Sequence, residues 1–313
     1  MPLARVLCAL LLAASGSALA APYAYVPNEG SGSVSIIDTA TDAVVADIPA
    51  GKKPRGTAVS PDGRRLYVSD QPNNRLVVID LQTRKQAASV PLGESPEGVG
   101  MSPDGRWISA AIEESNDVAF VDTRDNRLAF IVKVRGKNPE HAEFSPDGRL
   151  VFVSAEEGSA VDIIDFAQRK EIAKVPVGDR PRGIGFLPDR SRAYVASENA
   201  NTVYVLDTAN FKVVARIKAG LRSNGIAVHP GGKWVYVSNG GDGTVSVIDT
   251  GSNAIVATIP VGKRPWNMAL TPDGKKLYVA NGRSNSVSVI DTEKNERLRD
   301  VPVGSKPWGV VVR

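Results

Sequence analysis

The feature that most constrains the fold of this chain is a motif that recurs at a nearly constant interval. Its clearest marker is the aspartate that closes each run of the Val-x-Val-Ile-Asp type, and successive aspartates lie 42 residues apart, with one interval of 43. The seven copies are Asp38, Asp80, Asp122, Asp165, Asp207, Asp249 and Asp291. A proline recurs in step from Pro54 to Pro307, with Ser223 in one of the proline positions. A fixed interval of this length indicates one structural unit that is used seven times.

Each unit contains four short apolar runs that are separated by turn residues. In the copy over residues 54–93, we predict strands at 56–60, 65–69, 76–80 and 86–92. The runs are rich in Val, Ile and Tyr, which suits sheets that are covered on both faces. The first two are joined by Ser-Pro-Asp-Gly, where proline presets φ and glycine accepts a positive φ. We therefore predict an all-β, seven-bladed β-propeller of four-stranded antiparallel blades.

The two ends of the chain are expected to complete one blade together. Residues 308–312 align with a first strand, whereas the segment that begins after residue 20 aligns with a second strand. We predict that the C-terminal strand pairs with Tyr25 and Val26, so that the closed ring leaves no free edge at the join. The additional residue of the longer interval lies between Asp122 and Pro139, and we place it in the outer part of a blade.

Residues 1–20 have the features of a secretory signal peptide. Arg5 supplies the positive charge, residues 6–14 are apolar, and Ala18-Leu19-Ala20 fits a cleavage site. The apolar stretch is too short to span a bilayer, and no membrane span is expected elsewhere. The only cysteine, Cys8, lies in this segment, so the exported chain is expected to lack disulfides and thiolate ligands. Residues 21–313 are expected to form one propeller domain in a bacterial periplasm.

The charge of the chain argues against one class of partner. There are 38 lysines and arginines against 34 aspartates and glutamates, and both signs are interspersed. No basic cluster with interleaved aromatic residues is present, so nucleic-acid binding is not expected. A closed ring also has no obligatory reason to oligomerise, and a monomer is expected. The partner classes that remain are a periplasmic protein and a small-molecule ligand.

Several segments resemble a known family of β-propellers. The chain is similar to the YVTN family throughout the exported part, and the best local matches are 236–239 (Tyr-Val-Ser-Asn), 245–250 and 259–262. Within that family, it resembles the propeller proteins associated with PQQ-dependent catabolism, through residues 96–98, 112–116, 142–144 and 307–312. The resemblance implies a role beside periplasmic quinoprotein alcohol oxidation, and it implies no particular reaction. The turn consensus is broken at 187–190 and 229–232.

Side chains that differ between the repeats at one end of the channel are the candidate binding residues. In a propeller, the loops that enter the first strand and the loops between the second and third strands surround this end. The turn aspartates recur in nearly every unit and are assigned turn roles, whereas the residues after the proline positions vary. The candidates for ligand or partner binding are Arg55, Glu97, Glu140, His141, Arg182, Asn224, Trp266 and Trp308.

Two interpretations of these residues remain open. They form either a solvated rim of mixed charge or a recognition site in which Trp266 and Trp308 provide an aromatic platform. The two indoles have a further alternative, which is to pack into the core of the closing blade. The leading hypothesis is a non-enzymatic binding or accessory protein, and a ligand-free structural propeller is a third alternative.

The carboxylates of the loops between second and third strands suggest an alternative function. Calcium prefers oxygen ligands, and the candidate ligands are Glu29, Glu113, Glu156 and Glu198, with Asn224 beside them. A metal there would suit a metal-dependent, lactonase-like hydrolase. No other cofactor is indicated, because the chain lacks a Cys-x-x-Cys-His segment for haem c. His141 and His229 are expected at opposite ends of different inner strands and therefore not on one metal.

Overall fold

The computed structural model describes residues 22–313. This part of the chain is β structure apart from one short 3-10 helix at Gln71–Asn73. Its 28 strands form seven separate four-stranded antiparallel sheets. The all-β, seven-bladed propeller predicted from the repeat is confirmed. The predicted signal peptide, residues 1–20, lies outside the described residues.

The first four blades follow the chain from its start. Blade 1 contains β1 (Tyr23–Asn28), β2 (Ser33–Asp38) and β3 (Ala43–Pro49), together with β28 (Val311–Val312) from the other end of the chain. Blade 2 contains β4 (Pro54–Val59), β5 (Arg65–Asp70), β6 (Arg75–Asp80) and β7 (Lys85–Pro91). Blade 3 contains β8 (Pro96–Met101), β9 (Trp107–Ile112), β10 (Asp117–Asp122) and β11 (Arg127–Lys133). Blade 4 contains β12 (Pro139–Phe144), β13 (Leu150–Ala155), β14 (Ala160–Asp165) and β15 (Lys170–Pro176).

The remaining three blades complete the ring. Blade 5 contains β16 (Pro181–Phe186), β17 (Arg192–Ser197), β18 (Thr202–Asp207) and β19 (Val213–Lys218). Blade 6 contains β20 (Ser223–Val228), β21 (Trp234–Asn239), β22 (Thr244–Asp249) and β23 (Ala254–Pro260). Blade 7 contains β24 (Pro265–Leu270), β25 (Lys276–Asn281), β26 (Ser286–Asp291) and β27 (Glu296–Pro302). The first strand of each of blades 2 to 7 lies innermost, because it contacts the inner strands of the neighbouring blades, and β28 takes that place in blade 1.

The ring closes through the C-terminal strand, as predicted. Val311 is paired with Tyr25 and Val312 with Ala24. The backbone N–H of Trp308 donates to the carbonyl of Pro27 at 2.9 Å, which extends the contact towards the start of the segment. The regular strand β28 is shorter than the predicted strand 308–312, because only two of its residues pair in regular register.

The core fills the spaces between neighbouring blades. One cluster joins blades 2 and 3 and includes the buried side chains of Tyr67, Val78, Val99 and Ile108. Similar clusters lie between the other blades, so the middle strands of each sheet are covered on both faces and are largely apolar, whereas the outermost strands, such as β7 and β27, are mostly exposed. The recurrent aspartates lie in turns, as expected; the carboxylate of Asp38, for example, accepts the backbone N–H of Ala40 at 2.7 Å.

The additional residue of the long interval lies in a connecting loop. Strand β11 has the same length as β7, and residues 134–138 then connect it to β12, whereas residues 92–95 make the equivalent connection between β7 and β8. The prediction that the additional residue lies in the outer part of the blade is therefore wrong. A loop tolerates it because the pairing of β11 with β10 keeps the register, including the irregularity, that β7 has with β6.

Blade 4 carries a buried carboxyl group that has no hydrogen-bond partner. Asp162 is 0% exposed, and neither of its carboxyl oxygens is hydrogen-bonded within the described chain. In blade 1 the equivalent residue is Ser35, whose hydroxyl accepts from Asn28 and donates to Asp47. Ala155 takes the position of that asparagine in blade 4. Burial, with a contribution from the charge of Glu171, raises the pKa of Asp162 to about 6.

We expect Asp162→Ser to stabilise the protein. Because the pKa of Asp162 is raised in the folded state, the free energy of unfolding falls as the pH rises from the unfolded pKa of the carboxyl through about 6. The gain should therefore be small near pH 4 and reach about 1–3 kcal/mol above pH 7. Urea unfolding at both pH values measures it. Asp300→Ser is the matched control, because Asp300 is exposed and accepts a hydrogen bond from Ser288 at 2.6 Å, so this substitution should give no gain. A less stable Asp162→Ser variant at pH 7.5 would contradict the prediction.

Candidate functional site

Side chains from all seven blades converge on a cavity at one end of the channel, which we call the mouth. Its volume is about 290 Å³. The inner strands and the loops that flank them supply its lining: Glu29, Arg55, Gln71, Glu113, Glu140, Glu156, Arg180, Arg182, Asn224, Arg264, Trp266, Asn267 and Trp308. The loops meet here because the innermost strands of all the blades run in the same direction along the channel.

The structure brings most of the predicted residues together. Six of the eight candidates for ligand or partner binding line the mouth directly: Arg55, Glu140, Arg182, Asn224, Trp266 and Trp308. Glu97 is buried behind Arg55 and contacts its guanidinium. His141 lies deeper in the channel, where it is 7% exposed. His229 is in the turn that follows the end of β20 in blade 6. His141 is near the start of β12 in blade 4, so the two histidines lie at opposite ends of different inner strands.

Arg182 is the centre of the larger group of charges in the mouth. Its guanidinium donates to Glu140 at 2.5 Å and to Glu198 at 2.9 Å, and it also contacts Glu156. Glu198 is shared with Arg264, whose guanidinium donates to it at 2.6 Å. Only 13% of the Arg182 side chain and 1% of the Glu198 side chain are exposed. The group is therefore a largely buried ion-pair network, and water screens it weakly.

A second group of charges surrounds Arg55. Its guanidinium contacts the buried carboxyl of Glu97 and lies 3.6 Å from Glu29. The side-chain amide of Gln71 donates to Glu97 at 2.8 Å. Ser95 donates to Glu113 at 2.8 Å and receives a hydrogen bond from Gln71, which links the two acidic side chains through neutral groups.

The two groups affect their carboxylates in opposite ways. Burial opposes the ionisation of Glu140, but the positive charges of Arg182 and Arg55 and a hydrogen bond with Glu156 together lower the pKa of Glu140. Burial likewise opposes the ionisation of Glu198, and Arg182 and Arg264 outweigh it and lower its pKa. For Glu97 and Glu156, burial and the negative charge of Glu140 raise the pKa, and the arginines limit the rise. The mouth thus holds firmly ionised carboxylates beside carboxyl groups that take up a proton more readily.

The four glutamates proposed as metal ligands surround the mouth without forming a ligand set. Glu29 and Glu156 lie within 4 Å of arginines, Glu198 is enclosed by them, and Glu113 accepts from Ser95. Among residues 22–313, no group of three or more His, Cys, Asp and Glu side chains is arranged to hold a metal ion. Arginines so close to these carboxylates compete directly with a cation for the same oxygens.

The two tryptophans occupy different positions. Trp308 is 9% exposed and its ring centroid lies 5.4 Å from that of His141, which belongs to blade 4. Because Trp308 belongs to blade 1, its indole reaches across the channel, where it lines both the mouth and the space below it. Trp266 is half-buried and lies over Gly282, where an added Cβ would approach the indole to 2.4 Å. Trp266 is therefore the more accessible of the two tryptophans in the mouth.

Sequence reasoning missed two arginines of the mouth. Arg180 and Arg264 stand directly before Pro181 and Pro265, and both have positive φ angles, of 58° and 55°. The left-handed backbone at this position directs the chain into the inner strand. The residue before the proline varies from repeat to repeat, and that variation is the signal that would have identified both.

The channel below Trp308 contains a second cavity of about 120 Å³, which we call the chamber. Its wall includes the aliphatic side chains of Ile184, Ile226 and Met268. Arg55, which also lines the mouth, Glu143 and His141 are its titratable groups. Removal from bulk water raises the pKa of Glu143 to about 8. Burial lowers the pKa of His141 to about 4, so its imidazole is neutral at physiological pH.

We expect Glu143→Gln to stabilise the protein at alkaline pH. The stabilising contribution of the protonated Glu143 is complete below its unfolded pKa and is lost as the pH rises towards 8. The free energy of unfolding of the variant should equal that of the wild type near pH 4 and be greater by on the order of 1 kcal/mol at pH 9. The effect is no larger because water reaches this side chain and screens its charge. Glu114→Gln, at an exposed residue, should change the free energy of unfolding by less than about 0.5 kcal/mol at both pH values. Denaturant unfolding measures both, and an equal effect at pH 4 and pH 9 would contradict the assignment.

Comparisons with known proteins agree with the fold. A family model described as lactonase, 7-bladed beta-propeller, matches residues 165–301. A second model, described as YNCE-like beta-propeller, matches residues 11–106. Together they support membership of a β-propeller family. No curated protein resembles the chain closely enough to count as a match.

Solved structures with the same fold cover nearly all of the chain. Hydrazine synthase from Kuenenia stuttgartiensis is 24% identical, with a TM-score of 0.80, and the match covers 91% of this chain and 99% of that one. A protein of unknown function from Desulfotomaculum acetoxidans DSM 771 is 19% identical, with a TM-score of 0.81, over 93% and 98% of the two chains. The dihydro-heme d1 dehydrogenase NirN in complex with DHE is 18% identical, with a TM-score of 0.71, over 95% and 76%. At these identities the likeness concerns the fold alone. Within residues 22–313 no helix is long and apolar enough to cross a membrane.

Proposed function

We propose that this protein is an exported, periplasmic, non-enzymatic binding or accessory protein that holds a partner protein or a small-molecule ligand at the mouth. The observation that carries the proposal is the convergence of variable side chains from all seven blades on one cavity. Residues that served only the fold would repeat around the ring, as the turn aspartates do.

The mouth and the groups behind it also contain buried polar atoms that make no hydrogen bond within the described chain. They are Nε of Arg55 and Nε of Arg180, which lie 3.6 and 3.2 Å from carboxyl oxygens of Glu29 and Glu156, and one carboxyl oxygen of Glu97. Such groups cost free energy unless something satisfies them. A ligand that offers both acceptors and a donor, with a flat apolar surface for Trp266, would complement this arrangement.

A finer part of the proposal concerns the biological setting. The segments that resemble the propellers associated with PQQ-dependent catabolism support a place beside a periplasmic quinoprotein alcohol oxidation system. In that setting the partner or ligand belongs to the quinoprotein system, and the propeller itself carries out no redox step.

A matched pair of tryptophan variants tests the binding role. Trp266 lies at the mouth, whereas Trp234 begins β21 at the opposite end of a blade and is also half-buried. Native mass spectrometry of the protein purified from its own cells, without chelator, should detect a bound small molecule or partner protein in the wild type and in Trp234→Ala. The same mass should be at least tenfold less abundant in Trp266→Ala. Equal occupancy in both variants would remove Trp266 from the binding site.

The second candidate function is a metal-dependent hydrolase of lactones or similar esters. The match of residues 165–301 to a lactonase-type propeller model favours it. It requires calcium or another hard cation at the mouth, where Glu29, Glu113, Glu156 and Glu198 are the available carboxylates. Stoichiometric metal after exhaustive dialysis, with lactone hydrolysis that Glu156→Gln and Glu198→Gln abolish, would establish this function. If the protein does not accelerate lactone hydrolysis above the rate in buffer alone, the hydrolase function is excluded and the binding role is retained.

A further inference from the structure

The chamber below Trp308 is bounded differently from the mouth. All seven blades contribute to its wall, in which aliphatic side chains alternate with glycines and with the polar side chains of Thr57, His141, Glu143 and Asn267. Its volume of about 120 Å³ is several times the roughly 10–15 Å³ that one water molecule requires on this measure. The chamber can therefore hold a small organic molecule as well as water.

Two side chains of the chamber, Glu143 and His141, have polar atoms that make no side-chain hydrogen bond. None of the hydrogen bonds of residues 22–313 reaches the carboxyl group of Glu143, and Nδ1 of His141 is 3.9 Å from it. His141 is 7% exposed, and its Nε2 makes no hydrogen bond within the described chain. Asn267 also lines the chamber and offers an amide oxygen.

The position of Glu143 is particular to blade 4. The equivalent residues of the other inner strands are small or aliphatic, among them Ala58, Gly100, Gly185 and Ala227. Gly100 is directly opposite: an added Cβ there would lie 3.2 Å from Glu143 Oε2 and 2.5 Å from the carbonyl of Ala142. A single carboxyl group thus projects into space that the neighbouring blade leaves open.

We propose that the chamber is a second binding site, for a small primary ammonium compound, in which Glu143 accepts from the ammonium group, His141 and Asn267 offer further acceptors, and the indole of Trp308 covers it. An aromatic face and a carboxylate are the two groups that favour an organic cation. The volume of about 120 Å³ limits the ligand to a short alkyl chain, which Ile184, Ile226 and Met268 can contact. The site goes beyond the proposed function, because it lies below the mouth and does not depend on Trp266.

Ligand binding is coupled to the loss of one proton. The empty chamber favours the protonated carboxyl of Glu143, so the ammonium compound binds the carboxylate and the proton passes to the buffer. The other charged groups near Glu143 are Arg55, which also lines the chamber, and Glu97, Glu140 and Arg182, of which Glu140 shares β12 with Glu143. Arg55 contacts Glu97, Arg182 contacts Glu140, and His141 is neutral. Because the pKa of Glu97 is also raised, Glu143→Gln identifies which of the two carboxyl groups releases the proton.

Calorimetric titration with methylammonium chloride at constant ionic strength tests this site. At pH 7, in two buffers of different ionisation enthalpy, the wild type should bind one methylammonium and release up to one proton. Glu143→Gln should weaken binding at least tenfold and abolish proton release, whereas Glu114→Gln should behave as the wild type. Trp266→Ala should leave this binding intact even where it abolishes occupancy of the mouth, so the two proposals fail separately.

Three results would overturn the proposal. The first is the absence of saturable methylammonium binding to the folded wild type. The second is equal binding of sodium chloride, which would make the chamber an unselective cation site. The third is unchanged affinity in Glu143→Gln, whose fold is checked by its thermal unfolding. Because Gln has the shape of Glu and no hydrogen bond is lost, this variant is expected to fold.

Discussion

Removal of residues 305–313 is expected to lower the free energy of unfolding by at least about 5 kcal/mol. The deletion takes away β28, which pairs with β1, and the buried indole of Trp308. It also removes the backbone hydrogen bonds that join Tyr23 with Arg313 at 2.8 and 3.0 Å. A buried tryptophan alone contributes about 3–5 kcal/mol relative to alanine. The ring would then open between blades 7 and 2, and β1 would expose an unpaired edge.

Thermal unfolding followed by circular dichroism measures this loss. The midpoint should fall by about 10 °C or more, and the truncated chain should aggregate on heating. A synthetic peptide of residues 305–313, added in excess, should restore part of the stability because it can occupy the vacant edge of β1. An unchanged midpoint in the truncated chain would show that the C-terminal strand does not close the ring.

Substitution of Arg182 is expected to produce the second largest effect. Arg182→Met removes the guanidinium that contacts three buried or nearly buried carboxyl groups, those of Glu140, Glu156 and Glu198. Removal of one partner from a buried ion-pair network leaves uncompensated charge and costs about 3–5 kcal/mol. Arg222→Met is the matched control, because 59% of that side chain is exposed and it lies 4.0 Å from Glu198. It should change the free energy of unfolding by less than about 0.5 kcal/mol.

The pH dependence of this effect has a definite sign. The lowered pKa values of Glu140 and Glu198 give stability that is present above the pKa of an unfolded glutamate and is lost as the pH falls through the folded values. The difference in the free energy of unfolding between the wild type and Arg182→Met should therefore be largest near pH 7 and become smaller below pH 4. In a protein that also carries Glu140→Gln and Glu156→Gln, Arg182→Met should lower the free energy of unfolding much less. Equal losses from Arg182→Met and Arg222→Met would contradict the ion-pair account.

The fold followed from the sequence because one local pattern was repeated seven times. The aspartate spacing determined the number of blades, and the alignment of residues 308–312 with an inner strand identified the closing strand. The additional residue was misplaced, because the aspartate and proline markers bracket both the outer strand and the loop 134–138 that follows it. Markers so far apart cannot assign an insertion to one of the two.

The site was predictable in its position and less so in its contacts. Variation after the proline positions indicated Arg55, Glu140 and Arg182, and these residues lie together at the mouth because the topology brings the positions after the prolines to one end of the channel. The pairing of arginines with the presumed metal ligands was not predictable, since it depends on which side chains from different blades meet across the channel. The same limit applies to the tryptophans: adjacency in the repeat suggested one platform, whereas Trp308 extends across the channel to His141.

The central claim is that the mouth binds a partner or ligand, and photocrosslinking within the cell tests it most directly. A photoreactive phenylalanine analogue would replace Trp266 in one variant and Trp234 in the other, at opposite ends of the blades. The account predicts a discrete crosslinked species from position 266 and none from position 234. Crosslinking from position 234 alone, or identical products from both positions, would contradict it.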